Sequence, residues 1–289
     1  MASVTKVPLS YIEINGARLA YRISGREDLP LLIDFHGGRG FGSHGKGFQS
    51  AFPLTDIVRL LAFDFRGHGQ SSSTRPYTFA QIVDDIEALR KHFAGDRKVI
   101  ISGGSFGGFI AQQYALTYPD SLSHLILRGT APSHHHEEQA LATLRERAPS
   151  RAPMASENML KKVFGAFKDD NEFRLIIYSI LPLYTEGEWD RDAVLESARN
   201  IIFNAESHNS LYSEEEKYFD YRDRLKEIEV PTLIIVGEKD WITPPTQSKI
   251  IHEGIKNSKL HIFPNANHSV QSEKHAEVIA LIRRFLSEK

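Results

Sequence analysis

The chain has 289 residues, of which 41% are hydrophobic and 25% are charged, and its formal net charge is −2. This composition is ordinary for a globular protein with a full core, and the small net charge gives no reason to expect nucleic acid or a membrane surface as a partner. The chain has no cysteine, which excludes disulfides, thiolate metal sites and a cysteine nucleophile. No apolar run is long enough to span a bilayer, and the first segment, MASVTKVPLS, lacks the apolar region of a signal peptide, so a cytoplasmic location is expected.

Short apolar segments predict the strands of a sheet. Residues 11–24 predict a hairpin around Asn15-Gly16, a frequent two-residue turn. The continuous apolar runs that follow are typical of strands buried on both faces of a parallel sheet; they cover residues 31–35, 58–63, 99–102, 122–127, 232–236 and 259–263. Helical patterns over residues 79–93, 106–118 and 276–286 lie between or after them. This alternation predicts an α/β fold with a mostly parallel, doubly wound sheet.

The alternation is interrupted after the sixth predicted strand. Residues 133–215 show a helical pattern rich in large aromatic side chains, and the strand pattern resumes near residue 231. We expect a core domain formed by residues 1–132 and 216–289, with 133–215 inserted as a helical cap over the site. The alternative is a set of packing helices with no part in binding.

A candidate nucleophile lies in the segment Gly103-Gly104-Ser105-Phe106-Gly107, between a predicted strand and a predicted helix. Such a sharp turn presents a serine hydroxyl at the end of a strand, and the flanking glycines let the backbones approach closely. The positive end of the following helix favours an anion that develops beside the serine. Ser105 is therefore the predicted nucleophile.

A serine nucleophile needs a base and an acid that orients the base. Asp240 follows the strand at residues 232–236, and His268 follows the strand at 259–263. Both therefore belong to loops at the carboxyl ends of strands, where sites of open α/β sheets gather. Glu238 and Asp64 are competing acids, but the turn would point Glu238 elsewhere and the neighbours of Asp64 indicate a structural brace. We predict a triad of Ser105, His268 and Asp240.

The loop after the third strand begins His36-Gly37-Gly38-Arg39-Gly40. Glycines allow backbone N–H groups to turn toward a site, so Gly38 or Gly37, together with Phe106, is predicted to form the oxyanion hole. The many glycines up to Gly47 predict a mobile segment that gates the pocket. A phosphate-binding loop is the rival interpretation, but the G-K-[ST] ending is missing.

Taken in order, these motifs resemble the α/β-hydrolase superfamily over the whole chain, and more narrowly the proline iminopeptidase-like branch of serine peptidases. The matching stretches are His36-Gly37-Gly38-x-Gly40, Phe63-Asp64-x-Arg66-Gly67-x-Gly69-x-Ser71, Gly103-Gly104-Ser105-x-Gly107-Gly108, Leu127-Arg128-Gly129 and Gly237-Glu238-x-Asp240-x-x-Thr243-Pro244.

Two departures bear on the substrate. The branch usually has proline where this chain has Arg39, and it has a glutamate for the substrate amino group where this chain has Trp241. Glu206 is the possible match for a second, cap glutamate of the branch. Trp241, Glu206 and Arg39 are therefore the candidate substrate-binding residues, with Trp241 as an apolar wall.

The resemblance implies a serine hydrolase that cleaves an ester, amide or peptide bond of a small molecule or short peptide, in the manner of an aminopeptidase. A carboxylesterase or lactonase for an apolar or aromatic molecule is the alternative, and a non-catalytic ligand-binding protein on the same fold is the third possibility. No cofactor or metal is expected, because the adjacent side chains of His134, His135 and His136 would diverge; they predict an exposed hinge of the cap. The sequence leaves the oligomeric state open.

Overall fold

The computed structural model describes residues 7–187 and 190–288. Its strands are β1 (Ser10–Ile14), β2 (Ala17–Ser24), β3 (Leu31–Phe35), β4 (Arg59–Phe63), β5 (Val99–Gly104), β6 (Leu122–Arg128), β7 (Thr232–Gly237) and β8 (Ser258–Phe263). They form an eight-stranded sheet in the order β1-β2-β4-β3-β5-β6-β7-β8. The pairs β1–β2 and β2–β4 are antiparallel, and all pairs from β4 to β8 are parallel. The predicted sheet is thus confirmed.

Helices cover both faces of this sheet. They are α1 (His44–Ala51), α2 (Phe79–Ala94), α3 (Phe106–Thr117), α4 (His136–Arg151), α5 (Glu157–Val163), α6 (Asp170–Ile180), α7 (Arg191–Arg199), α8 (Ala205–Leu211), α9 (Pro245–Gly254), α10 (Val270–Glu273) and α11 (His275–Ser287). One apolar cluster joins α2, α3 and α9 to one face, and a second joins α1 and α11 to the other. Alternate residues of β3 enter the two clusters, as the period of a strand requires. None of the described helices is both long and apolar enough to cross a membrane.

The segment after the glycine loop differs from its prediction. Residues expected to form a mobile gate form helix α1, whose first residue is anchored to the end of β4. The backbone N–H and the Nδ1 of His44 lie 2.6 and 2.7 Å from Asp64 Oδ1. The predicted mobile gate is therefore wrong: hydrogen bonds to this buried carboxylate fix the start of the helix, and the glycine content of the segment gives no sign of them.

Helices α4 to α8 follow β6 and have an apolar cluster of their own. Phe173 and Ile177 of α6 are almost fully buried in it, and Trp241 and Ile242 from the loop after β7 enter the same cluster. Side chains of the inserted helices therefore pack directly on the loop that carries Asp240.

Candidate active site

Ser105 lies at the turn between β5 and α3 with φ 52° and ψ −121°, a backbone conformation that L-residues rarely adopt. A Cβ atom at Gly103 would stand 2.3 Å from the carbonyl oxygen of Gly107, and one at Gly107 would stand 2.6 Å from the carbonyl oxygens of Phe35 and His36. Only glycine fits these two positions. The spacing recognised in the sequence is therefore a steric requirement of the turn.

The predicted acid and base are hydrogen-bonded to each other. His268 Nδ1 lies 2.9 Å from Asp240 Oδ2 and 3.0 Å from Oδ1. The Asp240 carboxylate also accepts from the N–H groups of Ile242 and Thr243 at 3.1 and 2.9 Å, and from the Thr243 hydroxyl at 3.1 Å. Because Nδ1–H donates to Asp240, the lone pair of His268 Nε2 is available as a base. His268 and Ser105 line the same cavity.

The competing acids have other partners. Glu238 accepts a hydrogen bond from the N–H of Asn265 on an exposed turn. Asp64 is fully buried and binds His44 and the N–H of Gln70. Asp64 is the brace that the sequence indicated.

The glycine loop passes directly over the nucleophile. A Cβ at Gly37 would stand 3.0 Å from Ser105 Cβ, and Gly38 has a φ of 81°. Phe106 is the first residue of α3, so no carbonyl of the helix can accept its N–H. Gly37, Gly38, Ser105 and Phe106 all line the cavity that contains His268. Backbone donors and the candidate nucleophile are thus brought together.

Two buried histidines hold this loop in place. His36 Nε2 accepts from the N–H of Phe65 at 3.1 Å, and His68 Nε2 accepts from the N–H of Gly40 at 2.7 Å. His68 Nδ1 donates to the carbonyl of Arg66 at 2.9 Å. Burial lowers the pKa of His68 to about 3, so the neutral ring keeps the lone pair that Gly40 needs.

The cavity has a volume of about 720 Å³. Its surface is more apolar than polar, and its aromatic and aliphatic side chains come from both the core and the inserted helices; they are Phe35, Phe41, Phe106, Phe109, Val163, Phe164, Ile177, Tyr184, Ile201, Tyr212 and Ile242. The ring of Tyr184 meets the ring of His268 edge to face at 5.6 Å. Such a cavity suits a small apolar group with a few polar contacts.

Trp241 does not have the predicted position. Its side chain is 1% exposed, lies in the cluster of the inserted helices and is not part of the cavity lining among the described residues. It packs edge to face on Tyr184 at 5.5 Å, and Tyr184 lines the cavity. The expected apolar wall is therefore Tyr184, with Trp241 supporting it from behind, because residue 241 turns into the cap cluster.

Glu206 also lies elsewhere. Its half-exposed carboxylate is 2.6 Å from Arg75 Nε, in a surface groove with Lys168 and Asp169. The described lining of the cavity at Ser105 includes one carboxylate, that of Asp34, which is paired at 2.5 Å with Arg128. The structure therefore does not bring Glu206 to Ser105.

His136 was not recognised from the sequence as part of the site. Its neighbours His134 and His135 are partly or fully exposed, but His136 is buried and lines the cavity. Its Nδ1 donates to the carbonyl of Ser133 at 2.9 Å, and burial lowers its pKa to about 4. A run of three histidines contains no signal that distinguishes the last. Within the described residues no group of three or more His, Asp or Glu side chains is arranged to hold a metal ion.

The inserted helices also hold the loop of His268. Asn267 Nδ2 donates to the carbonyl of Leu183 and to Glu186 Oε1, both at 2.7 Å. The N–H of Ser269 donates to the carbonyl of Tyr184 at 3.0 Å. Residues 183–186 thus clasp the loop on both sides of His268.

Comparison with known proteins gives a match to a family model and several similar proteins. A family described as alpha/beta hydrolase fold matches residues 30–275. The chain is 57% identical over 280 residues to the proline iminopeptidase PfmaB of Pestalotiopsis fici, covering 96% of this chain and 99% of that protein. It is 30% identical to a proline iminopeptidase of Lactobacillus helveticus, covering 94% and 95%. The enol-lactonase of Burkholderia xenovorans has the same fold, with a TM-score of 0.75 at 20% identity over 96% of this chain and 100% of that one.

Proposed function

Since the chain belongs to the α/β-hydrolase fold family, in its proline iminopeptidase-like branch, and is a serine hydrolase, we propose that Ser105, His268 and Asp240 are its catalytic triad. The observation that carries this proposal is the hydrogen bond between His268 and Asp240 in the cavity where the strained turn presents Ser105. Asp240 fixes the tautomer of His268 and stabilises its protonated form.

The reaction proceeds through an acyl-enzyme. Ser105 Oγ attacks the carbonyl carbon while His268 Nε2 takes its proton, and the N–H groups of Phe106 and Gly38 hold the oxyanion. The carbonyl–leaving group bond then breaks, and His268 returns the proton to the leaving oxygen or nitrogen. Water, deprotonated by His268, attacks the acyl carbon; the bond from this carbon to Ser105 Oγ then breaks, His268 returns the proton to Oγ, and the acid is released.

Residues 133–215 are the cap of this proposal, and residues 1–132 and 216–289 are its core. The clasp of residues 183–186 on the His268 loop supports a cap that takes part in catalysis. The aromatic lining that the cap supplies supports a small-molecule substrate or a short peptide.

Two substrate classes are candidates. The names of the relatives favour release of an N-terminal residue, such as proline, from a short peptide. The lining favours an ester or lactone, because its one described carboxylate is already paired with Arg128 and leaves none for a substrate ammonium group.

The test compares kcat/KM for proline arylamide, acyl aryl esters and aryl-substituted lactones, with wild type and Ser105→Ala. We expect hydrolysis of at least one class, and a loss of about 10⁴-fold or more in kcat for Ser105→Ala with an unchanged melting temperature. A folded Ser105→Ala protein that retains turnover contradicts the assignment.

A further inference from the structure

Arg39 is a buried cation whose charge is largely unpaired. Arg39 is 4% exposed and, like its neighbour Gly38, lines the cavity that contains Ser105. Nη1 donates to the carbonyl of Leu211 at 3.1 Å, whereas Nε and Nη2 have no hydrogen-bond partner. A buried N–H group without an acceptor is costly, and more so when it carries charge, so a protein retains such a group only where something compensates it.

The surroundings of Arg39 keep the cation in place without using its free N–H groups. Its Cζ lies 3.9 Å from the ring centre of Tyr212, and four further rings lie between 5.3 and 5.7 Å; they belong to Phe79, Phe106, Phe109 and Phe219. Aromatic faces attract a guanidinium but accept no strong hydrogen bond from its edge. The edge formed by Nε and Nη2 is the side of a guanidinium that binds a carboxylate through two parallel hydrogen bonds.

The nearby acids leave this edge free. Glu137 has an unpartnered Oε1, and burial raises its pKa to about 7, with Arg39 opposing the shift. Glu216 accepts the N–H of Phe79 at 2.8 Å. Neither carboxylate is hydrogen-bonded to Arg39, so Nε and Nη2 of this buried cation have no acceptor among the described residues.

We propose that Arg39 is an anion-binding subsite of the catalytic cavity, which selects substrates whose acyl portion carries a carboxylate. The proposal rests on the proposed function, because it places the acyl group beside Ser105. Arg39 adjoins Gly38 in sequence, lines the same cavity as Ser105, and has its Cζ 5.6 Å from the ring centre of Phe106. The same cation would repel a substrate ammonium group, which agrees with the cavity's lack of a free carboxylate in the described lining.

The test uses p-nitrophenyl monoesters of glutaric, adipic and suberic acid, each as the free acid and as its neutral methyl ester. Release of p-nitrophenol gives kcat/KM for each pair, and the ratio within a pair isolates the carboxylate. We expect the free acid to be favoured by about 10-fold or more at one chain length at least, as a charge-assisted bidentate contact implies.

Two variants test whether this ratio depends on Arg39. Arg39→Met is expected to abolish the preference for the free acid, and Arg39→Lys to keep part of it. Arg75→Met removes one surface cation outside the cavity and is the matched control; its ratio should equal that of wild type. A wild type that prefers the neutral ester at every chain length overturns the proposal, whether or not Arg39→Met folds. An Arg39→Met protein that loses activity equally on both members of a pair, or keeps the ratio, makes Arg39 a structural cation and also overturns it.

Failure of the proposed function gives a different result. If Ser105 were not the nucleophile, Ser105→Ala would hydrolyse both members of each pair as wild type does. Hydrolysis that depends on Ser105 but shows no preference for the free acid removes the anion subsite alone.

Discussion

The two halves of the catalytic cavity differ in how completely their polar atoms are paired. On the side of β7 and β8, each oxygen of Asp240 has a donor, and His268 and Asn267 are held by several hydrogen bonds; the unpartnered Nε1 of Trp241 lies behind the described lining. On the side of α3, α4 and α8, Arg39 lines the cavity and has two nitrogens without acceptors, and Glu137, outside the described lining, has an oxygen without a donor. The paired half is organised before substrate arrives, as electrostatic catalysis requires. The unpaired half gains its missing hydrogen-bond partners from the bound substrate. The paired half therefore determines the reaction, and the unpaired half determines which substrate is accepted.

The largest expected effect comes from breaking the paired half at its acid. Asp240→Asn keeps the size of the side chain but no longer fixes the tautomer of His268, so we expect kcat to fall by about 10⁴-fold. Glu238→Gln on the same loop is the control and should stay within about 2-fold of wild type, since Glu238 binds only the exposed N–H of Asn265. Equal activities of the two variants in steady-state kinetics would remove Asp240 from the triad.

The steric requirement of the turn predicts a large loss of stability. Gly107→Ala puts a methyl group 2.6 Å from two backbone oxygens, so we expect unfolding to become easier by about 1–3 kcal/mol in denaturant titration. Gly45→Ala places its methyl group in open space within helix α1 and should leave stability unchanged or raise it by about 0.5–1 kcal/mol. If the two variants were equally stable, the close approach at Ser105 would not be the reason for the glycine.

The hydrogen bonds between residues 183–186 of the cap and the His268 loop predict a moderate loss of activity when they are removed. Asn267→Ala removes the donors to Leu183 and Glu186 and the acceptor for the N–H of His268. We expect kcat/KM to fall by about 10-fold, because the base loses its positioning. Asn257→Ala, which loses one long contact to the carbonyl of Glu229, is the control. Unchanged kinetics for Asn267→Ala would mean that the clasp is not needed for activity.

The smallest expected effect concerns the acid of the unpaired half. Burial raises the pKa of Glu137 to about 7 from an ordinary value of 4.5, so the folded state holds this proton more tightly than the unfolded state. Its contribution to stability is then lost as the pH rises from about 4.5 to about 7. Across that window we expect wild type to lose about 1–2 kcal/mol relative to Glu137→Gln. Parallel stability curves for the two proteins would show that Glu137 titrates normally.

The sequence alone marks the candidate triad more clearly than the rest of the cavity, for a physical reason. Ser105 is marked by local steric needs, and Asp240 and His268 by their places after strands, which the apolar runs reveal. Trp241 and His136 are positioned by contacts between the cap and distant loops, so no local pattern states which way their side chains turn. The predicted position of Glu206 beside the substrate is wrong for the same reason, because its partner Arg75 lies 131 positions away in the sequence.

The identity of the nucleophile is tested most directly by covalent labelling with a fluorophosphonate and mass spectrometry of the digested protein. We predict one adduct, on the peptide that contains Ser105, formed in wild type and Glu238→Gln, strongly slowed in Asp240→Asn and absent in Ser105→Ala. An adduct on another residue, or equal labelling of Ser105→Ala, would contradict the account.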